Sequence, residues 1–275
     1  MLSFSKGKPF AKIVGGVFDS RLLHINDGEV KECCNNCSVK CSARKPCCKH
    51  CEMCFDDDIN EIGKEVFVSD GILQPVPNIE TREIPYIAGP SGSGKSTYAA
   101  NYIKNYKKMH PKKEVFVFSR LNNDPIIDKL KVNRVAIDEQ LYNDPINILE
   151  ELPKGGLILF DDTDTIQDKK IKEAISKIKN DILETGRHND IYCVNTSHLI
   201  NGNDRKDSRT MLNEAHSLTI FPKSGSTFQI KYVLKNYFGL SNEQIDEILK
   251  LPSRWVTIMK NYPMYVFHEH GAYLL

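Results

Sequence analysis

The string Gly-Pro-Ser-Gly-Ser-Gly-Lys-Ser has the residue types and spacing that most clearly suggest chemistry, and it matches the pattern G-x-x-x-x-G-K-[ST] in full. Its glycines allow backbone N–H groups to turn inward toward phosphate oxygens. Lys95 can reach β- and γ-phosphates, and Ser96 can ligate Mg²⁺. A strand–helix turn that binds nothing is the alternative. We predict ATP binding by Gly89, Pro90, Ser91, Gly92, Ser93, Gly94, Lys95, Ser96 and Thr97.

A second candidate site is the run of apolar residues from 157 to 160 that leads into Asp161 and Asp162. A buried strand that ends in carboxylates beside a phosphate loop is typical of a Walker B site. Asp161 would orient Mg²⁺ through water, and Asp162 would polarise the attacking water. Asp164 is a weaker candidate for the base. A solvated Asp-Asp-Thr turn is the alternative interpretation.

Further polar residues surround the apolar run that begins at Ile191. Gly186 is expected to end the preceding helix in a left-handed cap, which would leave Arg187 in a loop on the carboxyl side of the sheet. From there Arg187 could reach a neighbour's γ-phosphate as an arginine finger, or it could simply satisfy the last carbonyl groups of its helix. The strand end from Asn195 to His198 is suited to sensing phosphate or positioning water.

Eight of the nine cysteines lie between Cys33 and Cys54, in a basic segment with almost no aliphatic residues. Such a segment cannot build a hydrophobic core, so a metal or covalent bonds must order it. Paired C-x-x-C knuckles favour zinc, with Cys48 as a substitute for the last ligand or with two ions bound. Disulfides and free thiols are the alternatives, and the isolated Cys193 is expected to be a core residue. The preferred zinc ligands are Cys34, Cys37, Cys51 and Cys54.

From residue 84 onward, apolar strands alternate with amphipathic helices, which predicts an α/β domain with a mainly parallel sheet. We assign residues 1–80 to a small N-terminal β and cysteine-rich module, with a hairpin-like start, and residues 81–275 to the α/β domain with a C-terminal hairpin. Trp255 and the tyrosines at 262 and 265 are expected to pack rather than stack on bases. The predicted strands are Ile84–Ala88, Val115–Ser119, Arg134–Ile137, Leu157–Asp161, Ile191–Thr196 and Leu218–Phe221, and the predicted helices are 95–109, 145–152, 168–185 and 242–250.

Composition narrows the possible classes of protein. The 37 Lys and Arg residues against 36 Asp and Glu residues give a net charge of +1, which excludes a histone-like polyelectrolyte, so nucleic-acid contacts must come from local patches. A hydrophobic fraction of 40% excludes a wholly disordered chain. No apolar run reaches the roughly 18 residues of a membrane span, and the first residues lack the apolar stretch of a signal peptide.

Residues from about 84 to 222 resemble the genome-packaging ATPases of the nucleocytoplasmic large DNA viruses, the poxvirus-type branch of the FtsK–HerA P-loop superfamily. The matching elements are Gly89–Ser96, Leu157–Asp162, the Gly-Arg-His string that begins at Gly186, and Arg209-x-x-x-Asn213. Members of this superfamily usually carry Glu after the Walker B Asp and Gln at the end of the sensor strand. Here those positions hold Asp162 and His198.

The resemblance implies an additional-strand P-loop NTPase that forms a homo-oligomeric ring and translocates double-stranded DNA into a viral capsid. It implies catalytic roles for Lys95, Asp161, Asp162, Arg187 and His198, with Asn195 or Ser197 as substitute sensors. It also implies a capsid or membrane-vertex partner. The protein would act in the viral factories of the host cytoplasm and in the virion. Candidate DNA-gripping residues are Arg205, Arg209 and Lys223.

Two other functions remain open from the sequence. A nucleoside or nucleotide kinase shares the phosphate loop, and it would need an acceptor pocket and work as a monomer. A nucleotide-switched zinc-binding assembly protein would bind ATP without efficient turnover, which the Asp at position 162 makes plausible.

Overall fold

A computed structural model describes residues 1–26, 61–201 and 205–275. The strands are β1 (Leu2–Ser3), β2 (Lys8–Val14), β3 (Leu22–Ile25), β4 (Glu61–Gly63), β5 (Glu65–Phe67), β6 (Ile72–Pro75), β7 (Pro85–Ala88), β8 (Val115–Ser119), β9 (Asn133–Val135), β10 (Leu157–Asp161), β11 (Tyr192–Ser197), β12 (Ser217–Ile220), β13 (Val256–Met259), β14 (Tyr265–His268) and β15 (Gly271–Leu274). These strands form two sheets, one of ten strands in the order β5-β15-β14-β13-β12-β7-β11-β10-β8-β9 and one of five in the order β4-β1-β3-β2-β6.

The helices are α1 (Lys95–Met109), α2 (Gln140–Asn143), α3 (Ile148–Glu151), α4 (Lys169–Thr185), α5 (Arg205–Glu214), α6 (Thr227–Phe238) and α7 (Asn242–Lys250). Helices α1 to α5 lie in the connections between parallel strands of the large sheet, and α6 and α7 lie between β12 and the antiparallel β13. The strands from β12 to β9 pair in parallel, whereas β13, β14, β15 and β5 continue the sheet in antiparallel pairs. The predicted mainly parallel α/β sheet is confirmed, and β11 lies between β7 and β10 as the additional-strand class requires.

Along the central strands, alternate side chains are buried on opposite faces of the sheet. On β10, Leu157 and Leu159 pack with α1 and the small sheet, whereas Ile158 and Phe160 pack with α4, α5, α6 and α7. Because strand side chains have a period of two, a strand that is apolar throughout must be covered on both faces. The large sheet is therefore covered by α1 and the small sheet on one face and by helices α4 to α7 on the other.

The small sheet packs on the α1 side of the large one, where Phe10 of β2 contacts the rings of Tyr265 and Phe267. β2 and β3 form the antiparallel pair predicted for the start of the chain. β5 belongs to the edge of the large sheet, where it pairs with β15. The division of the chain at residue 80 stays a prediction, although β5 already belongs to the α/β sheet.

The helices differ from the sequence prediction at four places. The helix expected over 145–152 is only the short α3, and helices α2, α5 and α6 were not predicted. The strand and helix bounds otherwise agree within about two residues. Cysteines 34, 37, 51 and 54 lie outside the described residues. Cys193 is fully buried, as expected for a core residue, and burial raises the pKa of its thiol to about 12.

Candidate nucleotide-binding site

The carboxyl ends of four neighbouring parallel strands, β7, β11, β10 and β8, meet at one edge of the large sheet. In open α/β sheets this edge forms the ligand-binding crevice. The phosphate loop follows β7 there, and Asp161 ends β10. The backbone N–H of Gly89 donates to the carbonyl of Ser197 at 3.0 Å, which joins the loop to the end of β11.

The phosphate loop turns directly from β7 into α1. Gly92 and Gly94 have φ angles of 75° and 112°, a left-handed region that side chains with a Cβ rarely adopt, and Gly94 caps α1. The backbone N–H groups of the first turn of α1 have no intrahelical partners and carry the positive end of the helix dipole. The hydroxyl of Ser93 is buried without a hydrogen-bond partner among the described residues. The loop therefore offers donors that suit an anion.

Lys95 is the first residue of α1, and it is only 5% exposed. Its Nζ lies 3.5 Å from Oδ2 of Asp162 and 3.5 Å from the carbonyl oxygen of Pro90. The side chain thus spans the gap between the loop and the end of β10. A buried ammonium held by such long contacts can turn toward a phosphate oxygen with little loss of protein contacts.

Asp161 is buried, and hydroxyl groups on both neighbouring strands hold its carboxylate. Ser119 at the end of β8 donates to Oδ2 at 3.1 Å, and the Thr196 hydroxyl of β11 lies 3.0 Å from Oδ1. Burial raises the pKa of Asp161, and the nearby charge of Asp162 raises it further. No cationic side chain among the described residues pairs with this carboxylate. The hard oxygen donors and the uncompensated buried charge fit a Mg²⁺ ion.

Asp162 is half-buried, and its carboxylate lies near the side chains of Lys95, His198 and Thr196. Oδ2 is 3.5 Å from Nε2 of His198 and equally far from the Lys95 ammonium, and Oδ1 is 3.1 Å from the Thr196 hydroxyl. Its backbone N–H donates to the same hydroxyl at 2.9 Å, and its own φ is 47°. The sequence prediction that Asp162 acts as the base stays a prediction.

Asp164 orients the start of the loop that follows β11. It accepts a 2.8 Å hydrogen bond from the Ser197 hydroxyl and a 3.1 Å hydrogen bond from the backbone N–H of His198. The ring of His198 lies between the two acids, with Nδ1 3.8 Å from Asp164 and Nε2 toward Asp162. His198 therefore borders the site, as expected for a residue at the end of the sensor strand.

The other proposed sensors, Asn195 and Ser197, make no hydrogen bond to Asp161 or Asp162. Asn195 shares its face of β11 with Cys193, and it lines a cavity between the sheet, α4 and α5. Ser197 hydrogen-bonds Asp164 and the Leu199 carbonyl. Thr196, which was not singled out in the sequence, is the strand residue that faces Asp161 and Asp162.

The register of the parallel strands could have revealed Thr196 and Ser119. Asp161 pairs with Ser119, and Phe160 pairs with Asn195, so Thr196 is the next residue opposite Asp161. Three strand ends in register place their side chains on one face of the sheet. In the sequence, the apolar runs of β8, β10 and β11 each end in polar residues, and this pattern could have been used to find Ser119 and Thr196.

Arg187 lies in a different place from the one predicted. It is exposed in the turn Gly186–Asn189, just before β11, at the amino edge of the sheet. Gly155, which precedes β10, donates to the Asn189 carbonyl at 2.6 Å on that same edge. The predicted position on the carboxyl side is wrong, because a helix that follows one parallel strand must return the chain to the amino edge to start the next.

The predicted left-handed cap at Gly186 is also wrong. Gly186 has a φ of −57°, and the chain continues into a tighter helical turn that ends at Asp190, whose φ is 51°. A Cβ at Gly186 would lie 2.8 Å from a guanidinium nitrogen of Arg82 that donates to the Ile182 carbonyl, so a larger residue would have to displace this side chain. The role of Arg187 on a neighbouring subunit stays a prediction.

The candidate DNA-gripping residues lie on different elements. Arg209 is exposed on α5, and Lys223 is exposed in the loop before α6. The side chain of Arg205 lies outside the described part of the chain. In that part, no helix is long and apolar enough to cross a bilayer.

Similar proteins include viral packaging NTPases. The DNA-packaging ATPase B204 from Sulfolobus Turreted Icosahedral Virus is 16% identical, with a TM-score of 0.47, over 68% of this chain and 96% of that one. The genome packaging NTPase B204 from Sulfolobus turreted icosahedral virus 2, bound to ATP-gammaS, is 14% identical, with a TM-score of 0.46, over 68% and 96%. The pCW3 conjugation coupling protein TcpA is 13% identical, with a TM-score of 0.46, over 96% and 77%.

No protein-family model matches the chain. "Uncharacterized protein V3" of Sputnik virophage is 46% identical over 277 residues, which cover 99% of each protein. The phosphate loop after β7 and the strand order described above give the chain the P-loop NTPase fold. Because the similarity to virophage protein V3 extends over the whole length of both proteins, the chain belongs to the same family as V3.

Proposed function

We propose that the protein hydrolyses ATP and uses the energy to move double-stranded DNA into a viral capsid. The observation that carries the proposal is the convergence of Lys95, Asp161 and Asp162 where β7, β10 and β11 end. A phosphate loop alone suits many nucleotide-binding proteins. A buried carboxylate for a metal with a second carboxylate beside it is what hydrolysis requires in addition.

Each residue has a distinct role in this proposal. The phosphate loop and Lys95 bind and neutralise the phosphates, and Asp162 holds the attacking water. Ser96 and Asp161 would hold Mg²⁺, which supplies further neutralisation of phosphate charge. Ser119 and Thr196 keep Asp161 in place, and His198 orients Asp162. Asp reaches less far than Glu, so the contacts of Asp162 with Lys95 and His198 matter for its position.

The DNA substrate and the viral setting have separate support. The motifs resemble those of packaging ATPases, and the relative with 46% identity comes from a virophage. A net charge of +1 suits a ring in which a few cationic residues per subunit contact DNA. We further propose a homo-oligomeric ring, a capsid or membrane-vertex partner, and work in the host cytoplasm and virion.

ATP hydrolysis with and without duplex DNA tests the proposal. The intact protein should turn over ATP faster with DNA, whereas Lys95→Ala should abolish turnover. Asp161→Asn should do the same while it leaves the fold intact, as followed by thermal unfolding. Lys104→Ala, an exposed lysine elsewhere on α1, is the matched control and should behave like the intact protein. DNA-independent turnover by a monomer would contradict the motor.

A nucleotide-switched assembly protein is a second candidate, because Lys95 and His198 already engage the Asp162 carboxylate. In that case these contacts would hold Asp162 away from an attacking water. Tight ATP binding without turnover, with or without DNA, would select this function over the motor.

Zinc bound by Cys34, Cys37, Cys51 and Cys54 is also part of the proposal. It rests on the spacing of the cysteines in a segment outside the described residues. Metal analysis of gently purified protein should find stoichiometric zinc. Its absence, together with thiols that do not react under denaturing conditions, would favour disulfides.

A further inference from the structure

The outer face of α6 combines aromatic and cationic side chains. Phe228 is 80% exposed and Tyr232 is 42% exposed, and Lys231 and Lys235 lie beside them. These four residues occupy positions i, i+4, i+3 and i+7 of the helix, which share one face. The opposite face is anchored in the core by Ile230, Val233 and Leu234. The aromatic rings are therefore held outward by a rigid helix rather than by a loose loop.

The segment that contains α6 has cationic side chains and no acidic ones. The 28 residues from 215 to 242 contain no Asp or Glu, although 36 acidic residues occur in the chain. Lys223, in the loop before α6, is a further exposed cation in this segment. Asp246 of α7 pairs with Lys231 at 2.7 Å, and Asn242 accepts from Lys235 at 3.4 Å. Lys223 and Lys235 thus carry most of the uncompensated charge of this face.

Phe221 connects this face to the nucleotide site. It is buried immediately before Pro222 and Lys223, and a Cβ at Gly89 would lie 2.6 Å from its ring. A Cβ at Gly94 would lie 3.5 Å from the same ring. The phosphate loop therefore packs directly on the residue that leads into α6.

We propose that the outer face of α6, with Phe228, Tyr232 and Lys235, together with Lys223 in the loop before the helix, is the surface that contacts the DNA phosphate backbone. This inference rests on the proposed function and names the part of the chain that holds the substrate. Lysines in such a face pair with phosphates, and an apolar side chain such as Phe can insert between base steps from the minor groove. An exposed aromatic pair with no acidic neighbour on its own helix suits a polyanion.

Duplex DNA binding measured by fluorescence anisotropy at several salt concentrations tests the inference. Each lysine that contacts a phosphate contributes about 0.9 to the slope of log K against log [salt]. Lys223→Gln combined with Lys235→Gln should lower that slope by about 2 and weaken binding by about ten-fold or more at low salt. Phe228→Ala should weaken binding at every salt concentration and leave the slope unchanged, because the phenyl ring carries no charge.

Matched controls use exposed residues on other surfaces. Lys104→Gln with Lys108→Gln, on α1, should keep the full salt slope, and Phe67→Ala, on β5, should keep the affinity. Thermal unfolding checks that all variants fold, and light scattering measures their oligomeric state with ATP.

The outcomes separate the inference from the proposed function. If the intact protein binds duplex DNA and the α6 variants bind with an unchanged slope and affinity, the inference is wrong and the motor stands. If the α6 variants lose the oligomer and keep the salt slope, the face is a contact between subunits, and the inference is again wrong. If the intact protein does not bind duplex DNA, both the inference and the proposed function fail.

Discussion

At the scale of single residues, two uncharged hydroxyl groups organise the acidic site. Ser119 and Thr196 flank Asp161 from the neighbouring strands, and Thr196 also contacts the carboxylate and the backbone N–H of Asp162. A buried carboxylate without such partners would be costly to keep charged, because burial favours the protonated acid. Hydrogen bonds from Ser119 and Thr196 offset this cost, as the direction of their effect on the Asp161 pKa shows.

Thr196→Val should therefore impair catalysis through both acids. Removal of a residue that hydrogen-bonds a metal ligand typically lowers metal affinity or activity by about 10- to 100-fold. We expect a loss of that size in turnover, with a raised Mg²⁺ requirement, and near-normal behaviour in Thr196→Ser. Steady-state ATP hydrolysis over a Mg²⁺ titration measures both.

The matched control for Thr196 is Thr219→Val on β12, a fully buried threonine whose hydroxyl contacts Thr257 instead of an acid. Its turnover and Mg²⁺ dependence should stay normal at comparable thermal stability. Equal effects of the two valine substitutions would show that Thr196 only stabilises the fold.

At the scale of elements, Glu83 links the strand that carries the phosphate loop to α1. It precedes β7, is buried, and accepts a 2.8 Å hydrogen bond from the Tyr102 hydroxyl of α1. Burial raises the pKa of Glu83 to about 7, and the Tyr102 hydrogen bond only partly opposes this rise. The folded protein therefore holds a proton at Glu83 at a pH where the unfolded chain, with the ordinary value of 4.5, has lost it.

Glu83→Gln should change the pH dependence of stability. Because the folded pKa is raised, the free energy of unfolding should fall as the pH rises from about 4.5 to about 7 in the intact protein. Gln cannot ionise and can still accept from Tyr102, so its variant should lack this decline. Above pH 7 the variant should be more stable by about 3 kcal/mol, since each pKa unit corresponds to about 1.4 kcal/mol.

Urea unfolding at a series of pH values measures this difference. Glu80→Gln, an exposed acid nearby, is the control and should leave the pH dependence of the intact protein in place. Parallel curves for the intact protein and Glu83→Gln over that pH interval would contradict the assignment.

At the scale of the whole molecule, the two edges of the sheet separate the nucleotide site from Arg187. The phosphate loop and Asp161 lie at the carboxyl edge, and Arg187 is exposed at the amino edge, before β11. A guanidinium there lies at the opposite edge from the phosphate loop of its own chain. If Arg187 stabilises hydrolysis, it does so on a neighbouring subunit.

Mixing two inactive variants tests this arrangement. Lys95→Ala should be unable to use its own site, and Arg187→Ala should lose turnover by about 10³-fold, as expected for an arginine finger. In a mixed oligomer, the Lys95→Ala subunit would supply its intact Arg187 to its neighbour's site. ATP hydrolysis should therefore recover on mixing, whereas mixing Lys95→Ala with Asp161→Asn should recover nothing.

His188→Ala, which changes the exposed neighbour of Arg187, is the control and should remain active alone. An Arg187→Ala protein that hydrolyses ATP at the normal rate would leave Arg187 with the structural role of a helix-end cation.

The sequence by itself determined the local units of this protein. A complete phosphate-loop pattern and an apolar run that ends in two acids depend only on neighbouring residues, and both lie where they were predicted. The bounds of α1 and β8 were also predicted correctly, because they too depend on residues that are neighbours in the sequence. In contrast, α6 was missed because its β-branched and aromatic residues favour strands, and the burial of Ile230 and Val233 overrides that preference.

Only the tertiary structure decided which distant residues meet. The register of three strands places Ser119 and Thr196 on either side of Asp161, and the direction of the chain places Arg187 at the opposite edge. The outward face of α6 also depends on which side of the helix the core covers. Such juxtapositions come from hydrogen-bond register and packing between segments far apart in the chain, and no local pattern of residues records them.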